Sequence, residues 1–221
     1  MTIFQTVKKA TRSLRRRRII QNDSGVAAME FAIIAPMIIG LYLGLAELSS
    51  VLSVDRKVSH SASVAGDLAT QVTSLNASQA EDLVSAVLQV ADLGVNGNYV
   101  LRLQSYYRRP SGNVASEGLI LYRNGNHGGL DPYDKDTLSE DMLPIGGGIV
   151  VASVKHAYIP FGFTRMEGDN KGKGFLPSQL DLDETFLLKP RRSETVIIGE
   201  EGTHTRFLCT GSANNVSCSD G

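Results

Sequence analysis

Residues 26–46 form one unbroken apolar segment, and this segment constrains the fold more than any other part of the sequence. Glu30 is the only charged side chain among these 21 residues. At a rise of 1.5 Å per residue the segment makes a helix about 31 Å long, which matches a bilayer core of about 30 Å. The sequence therefore predicts a transmembrane helix. A buried helix of a soluble protein fits less well, because a cluster of seven basic residues precedes the segment and none follows it closely.

The charges are divided unevenly along the chain. Residues 1–25 contain seven Lys or Arg and one Asp, a net charge of +6, whereas the remaining 15 basic and 22 acidic residues give −7. The positive-inside rule predicts a cytoplasmic basic leader at residues 1–25, with everything beyond the span outside the cytoplasm. A basic end on an acidic body also argues against nucleic acid as a partner, because a nucleic-acid-binding domain carries its positive charge on the folded part.

A cleaved secretory signal peptide is an alternative interpretation of the same segment. The sequence "LGLAE" at residues 43–47 offers small residues, Gly44 and Ala46, at the two specificity positions. The apolar run is longer than the usual 7–15 residues, however, and the polar leader before it is long as well. The physics of an ordinary signal peptide also gives no role to Glu30.

The residues around Glu30 form a pattern. Gly25 ends the polar leader, Glu30 is the fifth residue after it, and Phe31 opens the long apolar run. This arrangement resembles the type III signal of type IV pilins, which a prepilin peptidase cuts after a glycine. The whole stretch "GVAAMEFAIIAPMIIGLYLGLAE", with its Glu-Phe-Ala start, Pro36 and Glu47, resembles the TadE-like family of minor pilins or pseudopilins from tight-adherence (Flp) pilus systems.

The resemblance implies a processing site and an assembly contact. Prepilin peptidase would cleave between Gly25 and Val26 and free a new amine on Val26. In a bundle of apolar helices this amine can pair with the Glu30 carboxylate of a neighbouring subunit, because buried charges are tolerated when they have partners. A position of Glu30 in the lipid headgroup region is the alternative.

Three more residues of the segment point to helix packing. Pro36 removes a backbone donor and tends to kink a helix, which membrane helices accept more readily than soluble ones. Gly40 and Gly44, in "GLYLG", form a small-xxx-small pattern that lets another helix approach closely. The resemblance implies that the neighbours are other pilins and the inner-membrane assembly platform, in contact with membrane lipid.

Periodicity predicts that the helix continues beyond the span, over residues 26–72. Apolar side chains recur at three- and four-residue intervals to about Thr70, whereas Arg56, Lys57, Ser61 and Gln71 are expected to face solvent. A second helix is predicted to start at a capping box formed by Ser78 and Glu81 and to end at Gly94.

Beyond Gly94 the apolar period changes from helix to strand. Five segments rich in Val, Ile, Tyr and Thr are separated by Gly, Asn and Pro, and they predict a small, mainly antiparallel sheet. These segments are residues 98–109, 118–124, 148–160, 194–199 and 204–210. The expected fold is therefore α+β, with an extracytoplasmic domain at residues 73–221. The stretches "IVVASVKHAYIP" and "LLKPRRSETVII" also resemble later parts of TadE-like proteins.

Cys209 and Cys218 are the only cysteines and have eight residues between them. On the oxidising side of a membrane a disulfide is expected. We find no catalytic set, because the four histidines are scattered, and we expect neither a cofactor nor a metal. The acidic stretch "DPYDKDTLSED" lacks the glycine and glutamate spacing of an EF-hand, so a solvated loop is favoured over a Ca²⁺ site.

These features predict a structural subunit rather than an enzyme. The expected protein is a single-pass protein of the bacterial inner membrane, with a cytoplasmic N terminus and a periplasmic domain. It would take part in pilus assembly and surface adhesion, and the sequence leaves its incorporation into the extracellular filament open. The alternative function is a signal-anchored or secreted periplasmic binding module, and the mature N terminus would distinguish the two.

Overall fold

The computed structural model describes residues 24–92, 98–124, 133–160, 179–199 and 205–221. It contains two α-helices followed by a mixed β-sheet, so the predicted α+β class is confirmed. The chain divides into two compact units, Met1–Ser49 and Ser50–Gly221.

Helix α1 runs from Ser24 to Thr70 and includes Pro36. Its first part carries large apolar side chains that are exposed to half or more of their area, such as Phe31 at 69% and Met37 at 76%. Within the described residues this is one helix that is long and apolar enough to cross a membrane, with a mean hydropathy of 2.0 in its most apolar window. A long span of exposed apolar side chains is what a lipid environment requires.

The part of α1 that lies in the second unit has a buried stripe of small residues. Val58, Ala62, Ala65 and Ala69 are all fully buried in the main core. The helix ends at Thr70, as the periodicity predicted. Ser61 was predicted to face solvent, and that prediction is wrong. It is fully buried, and its hydroxyl is satisfied there, because it accepts a hydrogen bond from Tyr99 Oη at 3.1 Å and donates one to the Val58 carbonyl at 2.8 Å.

Helix α2 spans Ala77–Ala91, but its cap differs from the predicted one. Asn76 is the N-cap, and it exchanges hydrogen bonds with Gln79 at 2.9 and 3.0 Å. Asn is as good an N-cap as Ser, and Gln closes a capping box as Glu does, so the earlier pair forms the cap. The helix ends before Gly94, because Asp92 adopts the left-handed conformation and closes it.

Eight strands and one short 3₁₀ helix account for the rest of the regular structure that is described. Six of them form a sheet in the order β5-β4-β2-β3-β7-β8, and β1 pairs with β6 in a separate two-stranded sheet. Their bounds are β1 Ser74–Leu75, β2 Asn98–Arg108, β3 Val114–Asn124, β4 Gly148–Tyr158, β5 Leu180–Leu188, β6 Ile197–Ile198, β7 Arg206–Ser212 and β8 Asn215–Asp220.

The large sheet is mainly antiparallel, as predicted, with one parallel pair between β3 and β7. The main core joins one face of this sheet to the buried sides of both helices. A smaller cluster, which includes Tyr106, Leu138 and Leu143, lies near the end of β2 and is joined by residues of β4. A short 3₁₀ helix at Lys135–Thr137 precedes Leu138.

A strap at residues 189–199 connects β5 to the small sheet and holds the end of α1. The Arg191 N–H donates to the Thr70 carbonyl at 3.1 Å, and the Arg191 guanidinium pairs with Asp67. The N–H groups of Ile197 and Gly199 then bond to the carbonyls of Thr73 and Leu75. Since the last carbonyls of a helix have no partner within it, the strap supplies one of them with a donor.

Candidate processing and assembly segment

Gly25 and Val26 lie in the first turn of α1 and are exposed. A Cβ built on Gly25 would meet no other atom within 4 Å, and the residue does not need a positive φ. The fold therefore places no demand for glycine at this position.

Glu30 lies one turn further along α1, and both it and Phe31 are exposed. The ion pairs between described residues are formed by Lys57, Arg108, Lys155 and Arg191, and Glu30 takes part in none of them. A carboxylate in an apolar helix is costly unless it has a partner. Among the described residues of this chain, no cation is paired with Glu30.

Pro36, Gly40 and Gly44, which were predicted to pack helices, all lie within α1. Helix α1 continues through Pro36, although proline removes one donor from the helical ladder. A Cβ on Gly40 or on Gly44 would meet nothing within 4 Å. Residues four apart in a helix lie on the same face, so these two glycines form one smooth patch that has no contact within the described chain.

Comparison with protein families gives one match. The family model described as TadE-like protein matches residues 25–67. This segment is TadE-like. The match begins at Gly25 and stays within α1. It therefore covers Gly25 and Val26, on either side of the predicted cleavage site, as well as Glu30 and the apolar span, but none of the sheet. No curated protein and no solved structure matches the chain.

The disulfide lies far from the TadE-like segment in the sequence, and the structure contains it. Cys209 and Cys218 are direct partners in the β7–β8 hairpin, with their Cα atoms 4.0 Å apart. Glu81 of α2, which was expected to cap its own helix, instead accepts a hydrogen bond from the Cys218 N–H at 2.8 Å. Ser85 donates to the Ala213 carbonyl at 2.5 Å, so α2 holds the hairpin at two points.

The other polar groups that the sequence singled out have local roles where they are described. Asp134 accepts from the Asp136 N–H at 3.0 Å and caps the 3₁₀ helix. His60 is exposed and His156 is buried, whereas His127 and His204 lie outside the described residues. Asp131, the first residue of the acidic stretch, also lies outside them. No cluster of three or more His, Cys, Asp or Glu that could hold a metal occurs among the residues described.

Tyr99 belongs to the core and not to a catalytic site. Burial raises the pKa of its hydroxyl well above the ordinary value, and the hydrogen bond to Ser61 only partly opposes this effect. Its ring lies 6.2 Å from that of Tyr122, at a tilt of 56°. A phenol held neutral beneath a helix contributes packing and one hydrogen bond. Sequence reasoning missed the buried pair of Ser61 and Tyr99, because Ser61, within "SHSAS", gives no local sign of burial.

Proposed function

We propose that this protein is a minor pilin, or pseudopilin, that takes part in assembling a tight-adherence pilus after cleavage between Gly25 and Val26. The observation that carries the proposal is the TadE-like match, which begins at Gly25 and covers the apolar helix with Glu30 in it. The family relates the chain to the Tad pilus. The cleavage site, the partners and the topology are the proposal's own steps.

The helix supports a role outside the isolated chain. Gly25, Gly40 and Gly44 have no neighbour that would exclude a side chain, yet glycine in a helix interior costs roughly 1 kcal/mol relative to alanine. In the proposal, Gly25 lets the chain enter the peptidase cleft, because a residue without a side chain permits backbone shapes that others avoid. Gly40 and Gly44 let other pilins or the assembly platform approach closely.

Glu30 sets the register of assembly in this proposal. After cleavage, the amine of Val26 on one subunit pairs with the Glu30 carboxylate of the next. In an apolar bundle the two charges are tolerated only when they are paired. A subunit displaced along the filament axis would leave both charges unpaired. The carboxylate therefore selects one axial position among many that the apolar surface alone would accept.

The proposal also assigns the compartments. Residues 1–25 are the cytoplasmic leader, residues 26–72 are the membrane and pilin-like helix, and residues 73–221 form the periplasmic domain, whose disulfide suits an oxidising compartment. The function is structural, and prepilin peptidase acts on the protein as its substrate. Surface adhesion is the activity that the assembled pilus would serve.

The decisive test is the mature N terminus. The full chain is co-expressed with a prepilin peptidase, and its N terminus is read by mass spectrometry. Since 221 residues weigh 23.8 kDa, loss of 25 residues removes about 2.7 kDa. Gly25→Val should remain uncleaved, because a β-branched side chain resists the unwound shape. Gly40→Val, a glycine of the same helix with equally open surroundings, is the matched control and should be cleaved like wild type.

Three outcomes would contradict this proposal. A mature chain that starts at Glu47 would indicate a conventional secreted domain. A chain that stays uncut in the presence of the peptidase would indicate a simple membrane anchor. Cleavage of Gly25→Val at the same bond as wild type would show that the glycine is not what the peptidase requires.

A further inference from the structure

The large sheet has two edge strands, β8 and β5, and the structure treats them differently. An edge strand directs about half of its backbone N–H and C=O groups away from the sheet, and these groups can pair with another strand. Natural proteins block such edges with short strands, covering elements, charged side chains (lysine above all), proline or bulges. Whether each edge is blocked can be decided from the residues beside it.

The β8 edge is blocked. Cys209 and Cys218 lie opposite each other with a Cα separation of 4.0 Å, close to the spacing of a pair whose N–H and C=O groups point away from each other. The Cys218 N–H therefore points to the outer edge, where the Glu81 carboxylate accepts it at 2.8 Å. Helix α2 also holds the hairpin turn through Ser85. The strand is only six residues long.

Among the residues that the structure describes, the β5 edge has no proline, lysine, bulge or backbone-bonded covering element, and its acidic side chains are its own device against unselective pairing. Leu180–Leu188 pairs with β4 over nine consecutive residues without a register shift, and it contains no Gly, Pro, Lys or Arg. Among the residues that the structure describes, the backbone of residues 182–188 makes no hydrogen bond to any element other than β4. The side chains of Asp183 and Thr185 are exposed, so the face of the strand that carries them is open to solvent.

The charge of this edge selects the kind of strand that can join it. Asp181, Asp183 and Glu184 are acidic, whereas the neighbouring strand β4 offers a single Lys155, whose Nζ lies 3.0 Å from Asp181. A second copy that paired about Asp183 or Glu184 would place carboxylates opposite carboxylates, which is destabilising in a sheet. A strand with basic side chains would place opposite charges there instead.

We propose that the free edge of β5 is a docking site for one extended segment of a partner protein that carries Lys or Arg at alternate positions. The segment would continue the sheet through backbone hydrogen bonds, and the acidic side chains of β5 would select it. The inference goes beyond the role of the TadE-like helix and does not depend on cleavage at Gly25. It assigns a partner-binding role to the part of the chain that the family match does not cover.

The test uses the full chain in detergent micelles and a fluorescent nine-residue peptide, Thr-Lys-Val-Lys-Val-Lys-Val-Lys-Thr, as the probe. Binding is followed by fluorescence anisotropy, and the site by amide hydrogen exchange. We expect slower exchange within residues 182–188 when the peptide is bound. A peptide of the same charge with proline at the central valine should bind at least about tenfold more weakly, because proline cannot donate to the ladder.

Two matched variants separate edge recognition from general charge attraction. Asp183→Lys changes the exposed acid of β5, and Asp220→Lys makes the same change on β8. Asp183→Lys should weaken binding about tenfold, whereas Asp220→Lys should leave it within about twofold of wild type. Both side chains are exposed, so both variants should fold, and circular dichroism confirms this before binding is measured.

Five results would overturn the proposal. The first four are a peptide that does not bind, equal loss of binding in the two variants, binding without slower exchange in residues 182–188, and equal affinity for the proline-containing peptide. The fifth is a dimer of the chain that forms through β5 without peptide, since the proposal assigns this edge to a basic segment of a different protein.

Discussion

The two parts of helix α1 have opposite relations to the rest of the chain. Residues 24–49 bear large apolar side chains that are exposed, and their glycines touch nothing. Residues 50–70 bury a stripe of alanines in the core. Gly66 lies against the side chains of Leu188 and Ala152. A Cβ on Gly66 would overlap the Leu188 side chain and lie 3.3 Å from the Ala152 Cβ.

This difference shows how one helix can serve two environments. In the second part, each small residue is explained by a neighbour in the same chain. In the first part, no described neighbour explains the glycines or Glu30, and the proposed function assigns them to contacts with other proteins. Three predictions test that division, ordered by expected effect.

The largest effect is expected from Glu30→Ala. If Glu30 pairs with the amine of a neighbouring subunit, its loss leaves a buried ammonium unpaired and weakens assembly by roughly 3–5 kcal/mol. Insertion and cleavage should continue, because the span becomes more apolar and Gly25 is unchanged. The measurement is a count of pili by microscopy beside an immunoblot of the processed form. Glu30→Gln, which keeps the shape without the charge, should lie between alanine and wild type or resemble alanine.

Two outcomes would break the first part of the comparison. Normal piliation with Glu30→Ala would place the carboxylate at the headgroup interface without a partner. A block in cleavage would mean that the peptidase, and not the filament, recognises Glu30.

A smaller effect is expected from Gly66→Leu, with Gly44→Leu as its matched control. The leucine at position 66 has no room against Leu188 and should lower the free energy of unfolding by about 1–3 kcal/mol. The same change at position 44 meets nothing and should leave the stability of the sheet domain unchanged. Urea unfolding followed by tyrosine fluorescence measures this, because the chain has no Trp and all tyrosines except Tyr42 lie beyond residue 50. Equal stability of the two variants would refute the assignment of Gly66 to the core.

The smallest effect is expected from Ser61→Ala. It leaves the Tyr99 hydroxyl without its described partner and should cost about 1 kcal/mol of unfolding free energy. Ser53→Ala, at an exposed position on the same helix, is the control and should be neutral or slightly stabilising, because alanine is the better helix former. The same urea titration applies to both. A loss with Ser53→Ala as large as with Ser61→Ala would show that the buried hydrogen bond is not the cause.

The sequence predicted the elements whose patterns are strong, and it failed where long-range contacts decide. The apolar span and the end of α1 at Thr70 followed from length and period. Ser61 was misassigned, because its partner Tyr99 is 38 residues away. The cap of α2 was placed at Ser78 because the sequence contains two overlapping capping-box patterns, Asn76 with Gln79 and Ser78 with Glu81. The first pair forms the cap, and Glu81 accepts a hydrogen bond from the Cys218 N–H instead.

The edge strands were missed for a related reason. The sequence of β5, "LDLDETFLL", is rich in acids that are depleted in strands, and β8 is short and polar. These two segments form strands because they pair with β4 and β7, and their own strand propensity is low. The parallel pairing of β3 with β7 was also beyond the sequence, since nothing local relates segments so far apart.

That parallel pair determines when the domain can complete its fold. Leu119 is the register partner of Arg206, so β7 must find β3 after more than 80 further residues have been added to the chain. Closing so long a loop is slow and costs entropy before any contact repays it. In the proposed topology the domain emerges from the membrane in chain order, so β3 waits with an open edge until nearly the last residues emerge. Folding would then be completed late in export, and a chain that stops short of β7 would expose that edge to aggregation and to proteases.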